Sequence, residues 1–151
     1  MSREELNIYI ETSIKGPSKR AGAYLYIIER FNNFGEPETK GGFCYDVATE
    51  NQFVLVALTR AIKRIEEPAS IRVFTKCGHV LHSLQNNRPV KWKKDGWINA
   101  KGEPVKNAEL WNELLKAIDP HIYTITDSDH CYEKWMHCEL ERRVKEKKDV
   151  L

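Results

Sequence analysis

The feature that most constrains this chain is a change of hydrophobic period near Thr49. Before it, residues 6–10 (LNIYI) form an apolar run rich in β-forming residues, 21–31 (AGAYLYIIERF) read as a second strand, and a return strand is permitted near 39–47. Gly16-Pro17 and the group Asn32, Asn33 and Gly35 are turn formers between them, so the opening reads as a meander of three strands. After Thr49, which can cap a helix, Phe53, Val54, Val56, Ala57, Ala61, Ile62 and Ile65 recur at helical spacing until Pro68 forbids continuation. Ile71, Val73 and Thr75 then alternate as a strand, and Val80, Leu81 and Leu84 predict a shorter helix ending before Asn86-Asn87. Residues 107–118 (NAELWNELLKAI) are a capped amphipathic helix, HIYTIT a further strand, and about 131–147 a last helix. This order predicts an α/β fold: a five-stranded mixed sheet that begins with three antiparallel strands and is flanked by helices.

The bulk numbers fit that expectation. At 151 residues the chain suits a single domain, and 30% charged with 41% hydrophobic residues is a globular composition rather than a disordered one. The charged start MSREELNIYIE has no signal-peptide character, and no apolar stretch is long enough to span a bilayer. Cys44, Cys77, Cys131 and Cys138 are scattered without a CxxC pair, which points to free thiols in a reducing compartment; a cytoplasmic protein is expected, with no membrane partner. A net charge of +2 cannot by itself argue for nucleic acid, so any electrostatic case rests on local clustering. Such clustering occurs at residues 88–106, a basic stretch punctuated by Gly and Pro that is read as a projecting loop or irregular helix. The charged end of the last helix, residues 140–151, is read as a fraying, solvated tail.

Several stretches resemble, in order, type 1 ribonuclease H. IYIETS followed by Gly16-Pro17 is similar to that family's opening strand and Gly-Pro turn, TENQFVL to the start of its first helix, and VFTKC to its fourth strand. Most specific is WKKDGWINAKGEPVKNAELW, residues 92–111, which resembles the basic protrusion and following helix with which the family grips an RNA–DNA hybrid. The resemblance implies a ribonuclease H-like sheet in which the last two strands run parallel. It also implies a site where four carboxylates hold two divalent metals for phosphodiester cleavage.

Carried over position by position, the four carboxylates correspond to Glu11, Val54, Lys76 and Glu139. Glu11 and Glu139 keep an acid, Val54 is apolar, and Lys76 places a cation at the centre of the site. With all groups ionised, four negative charges become two negatives and one positive, so no metal is expected, or Glu11 and Glu139 as its ligands if any. Lys76 is expected to salt-bridge Glu11, Glu139 or both; the bland alternative is a lysine that reaches solvent unpaired. The family's mobile catalytic His corresponds to His130 or is absent. His130-Cys131 and His137-Cys138, seven residues apart, match no standard zinc finger and are read as buried or rim residues.

Lys91, Lys93, Lys94, Lys101 and Lys106, with Arg88, interleave with Trp92 and Trp97, a pattern suited to phosphates and to stacking on sugars or bases. The competing reading makes the tryptophans core anchors and the lysines a solvated face. Ser13, Thr49 and Asn51 match positions at which the family hydrogen-bonds the nucleic-acid backbone, whereas the family's second Asn is Glu50 here and its polar or basic neighbour is Gln52.

Three functional readings follow. The first is an inactive ribonuclease H-like domain that binds an RNA–DNA hybrid or other duplex, with no cofactor. The second is a weakly active hybrid endoribonuclease using Mg or Mn held by Glu11 and Glu139, with Asp127, Asp129 or Glu50 recruited from nearby. The third is a protein-interaction scaffold. Fold alone does not choose among them.

Overall fold

The computed structural model describes residues 3–150. Strands β1 (Glu4–Thr12), β2 (Arg20–Phe31) and β3 (Pro37–Ala48) form the antiparallel meander. Helix α1 (Glu50–Lys63) leads to β4 (Ala69–Phe74), which pairs parallel with β1, and β5 (Ile122–Thr126) pairs parallel with β4. The resulting sheet has the order β3-β2-β1-β4-β5, the mixed five-stranded arrangement that the period change predicts. Between β4 and β5 lie α2 (Gly78–Gln85), α3 (Arg88–Lys94) and α4 (Ala108–Ile118), and α5 (Glu133–Val150) follows β5.

The strand pattern assigns the two faces. In β1 and β2, Leu6, Ile8, Ile10, Tyr24, Tyr26 and Ile28 turn towards a core completed by α1, α2 and α4. Their alternates Tyr9, Ala23, Leu25 and Ile27 pack under Met136 and Leu140 of α5. Both faces of β1 are covered, which is why LNIYI reads as a continuous apolar run instead of a simple alternation. Burying a side chain such as Ile8, Leu55 or Leu58 removes all of its surface from water and stabilises by about 1.5–3 kcal/mol each. Strand β3 is an edge, and its exposed Glu38 and Lys40 suit an edge that must not recruit another strand.

Local chemistry sets the helix ends. Thr49 accepts from the Gln52 N–H while the Gln52 side chain accepts from the Thr49 N–H, a reciprocal capping box. Thr75, read from the sequence as strand, lies one residue beyond β4 and donates its N–H to the Thr126 carbonyl at 3.0 Å. The 88–106 segment is more ordered than a loop: α3 is followed by a turn closed by an Ile98–Pro104 bridge and by Asn99 Oδ1, which accepts from the N–H groups of Lys101 and Glu103. The charged tail is helical through Val150, with most side chains beyond Leu140 exposed; Leu151 lies outside the described residues. Cys77 is buried, Cys44 half-buried, and Cys131 and Cys138 are exposed, all as free thiols. Among the described residues no helix is long and apolar enough to cross a membrane.

Candidate active-site cluster and basic segment

Glu11 sits near the end of β1 on the α5 face, with only 2% of its surface exposed. Its position follows from strand alternation: Tyr9 and Glu11 share one face, Ile8 and Ile10 the other. Two imidazoles approach it. His137 Nε2 lies 3.0 Å from Glu11 Oε2, and His130 Nε2 lies 3.6 Å from Oε1. Glu133 and His137 are four residues apart on α5, so both project to the same side and meet Glu11. One ligand atom from each of Glu11, Glu133 and His137 falls within 4.8 Å of the others.

His130 packs at a tilt against Tyr9, with ring centroids 4.3 Å apart, and meets Phe74 edge-on at 5.6 Å. Burial lowers its pKa, and the nearby Glu11 carboxylate opposes that shift without cancelling it. Its Nδ1 accepts the Tyr132 N–H at 3.2 Å, which leaves the ring proton of the neutral imidazole on Nε2. That Nε2 is buried and finds no hydrogen-bond partner among the described residues.

Lys76 emerges just past β4 and donates to Asp129 Oδ1 and to the Asp127 carbonyl, both at 2.6 Å, with Glu133 Oε1 at 3.7 Å. The hydrogen bond from Lys76 holds the Asp129 carboxyl below its usual range, and the same bond raises the Lys76 ammonium. The expected partners Glu11 and Glu139 are therefore corrected to Asp129 and Glu133. The reason is desolvation: Asp129 is 87% exposed and costs little to pair, whereas Glu11 is deeply buried and already meets His137.

Glu139 does not join the cluster. It accepts from Arg142 at 2.9 Å and from Arg143 at 3.0 Å, and its carboxyl is held low, chiefly by the Arg142 hydrogen bond. Two residues beyond His137, it points about 200° around the helix from that side chain. Val54 is buried in the core beside Phe53 and Leu55 and offers no ligand atom. Glu50 accepts the Gly16 N–H at 2.9 Å and lies 4.0 Å from Lys15, tying down the β1–β2 turn rather than serving Glu11. Glu133 and His137 were missed as site residues by sequence reasoning, and their four-residue spacing on a helix was the available signal.

In the basic segment, Trp92 and Trp97 are half-buried against the core, and Trp92 meets the fully buried Trp111 edge-to-face at 5.6 Å. Their rings are occupied by packing, which favours tryptophan anchors beneath an exposed face of Lys91, Lys93, Lys94, Lys101 and Lys106. The polar positions Ser13, Thr49 and Asn51 are all engaged internally. Ser13 Oγ accepts the Ala23 N–H, Thr49 caps α1, and Asn51 Oδ1 accepts from the Cys77 thiol.

Comparison with known proteins places these observations. The ribonuclease H of Campylobacter curvus is 35% identical over 104 residues, covering 69% of this chain and 66% of that protein. The ribonuclease H of Stutzerimonas stutzeri is 32% identical over 125 residues, covering 80% of this chain and 76% of its own length. Among solved structures, LC9-RNase H1, described as a type 1 RNase H with the type 2 active-site motif, superposes with a TM-score of 0.76 at 13% identity, covering 96% of this chain and 74% of that one. A foamy viral protease-reverse transcriptase solved with an RNA/DNA hybrid superposes at 0.64 and 16% identity, covering 92% of this chain and 19% of that one. At those identities the superpositions speak for the fold alone. A family model described as RNase H matches residues 3–127, all five strands but none of α5. The chain belongs to the RNase H family.

Proposed function

We propose that this chain is an RNase H-family domain that binds duplex nucleic acid, RNA–DNA hybrid foremost, and does not build the two-metal cleavage centre. The observation that supports the reading is Lys76: at the position that corresponds to a family carboxylate, its ammonium bonds Asp129 and lies 3.7 Å from Glu133. Two divalent ions about 3.5–4 Å apart repel each other and need several carboxylates to hold them. With Val54 apolar and Lys76 cationic, the donor set does not fit a magnesium pair. The exposed lysines of residues 91–106 support contact with phosphates, and reverse transcriptases that share the fold have been solved with dsDNA and with an RNA/DNA hybrid.

A second reading, a hybrid-cleaving endoribonuclease, is favoured by the convergence of Glu11, Glu133 and His137 and by the name ribonuclease H borne by the relatives. One assay decides. A labelled RNA–DNA hybrid is incubated with the protein in magnesium and in manganese while binding is measured at two salt concentrations. Salt-sensitive binding without cutting is the expected result. Metal-dependent cutting that disappears in Glu11→Gln overturns it, and absence of both leaves a protein scaffold.

A further inference from the structure

We infer a single-ion site for a borderline transition metal of the zinc class, built from Glu11, Glu133 and His137. It concerns the chain without nucleic acid and stands whether or not the binding reading holds.

The donors come from two elements that cannot easily separate. Glu11 is fixed by β1, and Glu133 and His137 lie one helical turn apart on α5, the spacing at which two side chains reach one ion. Their ligand atoms already lie within 4.8 Å of one another. Bonds of about 2.0–2.2 Å to a tetrahedral ion imply donor separations of roughly 3.3–3.6 Å, so the cluster needs only small side-chain adjustments to close. Two carboxylates supply two negative charges for one dication. Lys76, held by Asp129, brings a cation to within 3.7 Å of Glu133, which disfavours a second dication beside the first.

An independent observation points to a ligand at this place. The His130 side chain is 5% exposed, and its Nε2 is buried without a partner, aimed at Glu11 Oε1 across 3.6 Å. Because Nδ1 accepts the Tyr132 N–H, Nε2 carries the proton and is a donor, not a metal ligand. A buried donor left unmatched calls for an acceptor. A water on the ion, or Glu11 Oε1 drawn round by it, supplies one, in the manner of the outer partners that orient metal ligands. The imidazole in the donor set sets the selectivity, since nitrogen donors suit zinc and its neighbours, while magnesium prefers an all-oxygen octahedron.

The test is calorimetric titration of the full chain with zinc chloride, and separately with magnesium chloride. It uses a Cys131→Ser, Cys138→Ser background, because both thiols are exposed and would bind zinc themselves. One zinc per chain, undisturbed by millimolar magnesium, is expected. His137→Gln alters a half-exposed side chain and should leave the fold intact by circular dichroism, yet weaken zinc at least about tenfold, as should Glu133→Gln. X-ray absorption at the zinc edge should show the outer-shell scattering of one imidazole, which His137→Gln removes. No saturable zinc binding, binding unchanged in both variants, or equal affinity for magnesium overturns the inference.

Discussion

Tyr132→Phe removes one hydroxyl at the junction between the sheet and α5, and its consequences can be worked through. Glu29 of β2 is only 3% exposed, and its carboxylate is met by three donors. Tyr132 donates to Oε2, while Tyr9 and Asn7 donate to Oε1 at 2.8 and 2.9 Å. Burial alone raises the Glu29 pKa, but the hydrogen bonds from Tyr132, Asn7 and Tyr9 outweigh it and leave the carboxyl below its usual range. In the other direction, burial and Glu29 push the Tyr132 phenol up. A hydrogen bond to a charged group contributes about 1.5–3 kcal/mol, so Tyr132→Phe should destabilise by about that amount at neutral pH. The folded pKa of Glu29 lies below the unfolded value of about 4.3, so its contribution is complete above that pH and is lost as pH falls through the folded value. The gap between wild type and variant should therefore be full at pH 7 and shrink below about pH 4. Urea unfolding measures it: with a slope of about 1.5 kcal/mol/M, the midpoint should fall by roughly 1–2 M at pH 7. A gap below about 0.5 kcal/mol at pH 7, or one that stays the same size as pH falls through the folded Glu29 value, refutes the reasoning.

Trp111→Ala empties the fully buried site where α4 meets α1 and Trp92, and should cost about 3–5 kcal/mol in thermal or urea unfolding. Gly42→Ala puts a methyl group against the ring of the buried Tyr26, whose hydroxyl accepts from Arg64, and should cost about 1–3 kcal/mol by the same measurement. Lys93→Ala with Lys94→Ala removes two exposed cations of α3. Hybrid affinity, followed by fluorescence anisotropy across a salt series, should fall with a slope against log salt that is shallower by about 2. An unchanged slope would take those lysines out of the interface.

What the sequence made legible depended on whether a conclusion needed local pattern or handed geometry. The meander, α1 and the β4–β5 pair follow from period, caps and Pro68, each a local signal, and the structure carries them with ends shifted by a residue or two. Val54 and Lys76 were legible for a different reason: an apolar side chain and an ammonium cannot bind a cation in any geometry. The partner of Lys76 and the active face of α5 needed more. Met136 and Leu140 mark the inner stripe of α5, but Glu133 and His137 lie along one flank of that stripe and Glu139 along the other. Composition does not distinguish the flanks, since both carry acids. Which flank meets the end of β1 depends on how the helix crosses the sheet, and that is fixed by the irregular residues 127–132, where the family match stops. Two long-range contacts are made there. Tyr132 bonds Glu29, 103 residues away, and Lys76 bonds Asp129 across 53 residues. Both join groups that look like ordinary surface polar residues in the sequence. If these contacts orient α5, Tyr132→Phe should disturb the chemical shifts of the His137 ring as well as lowering stability, while Arg142→Ala, on the far flank, should leave that ring unmoved.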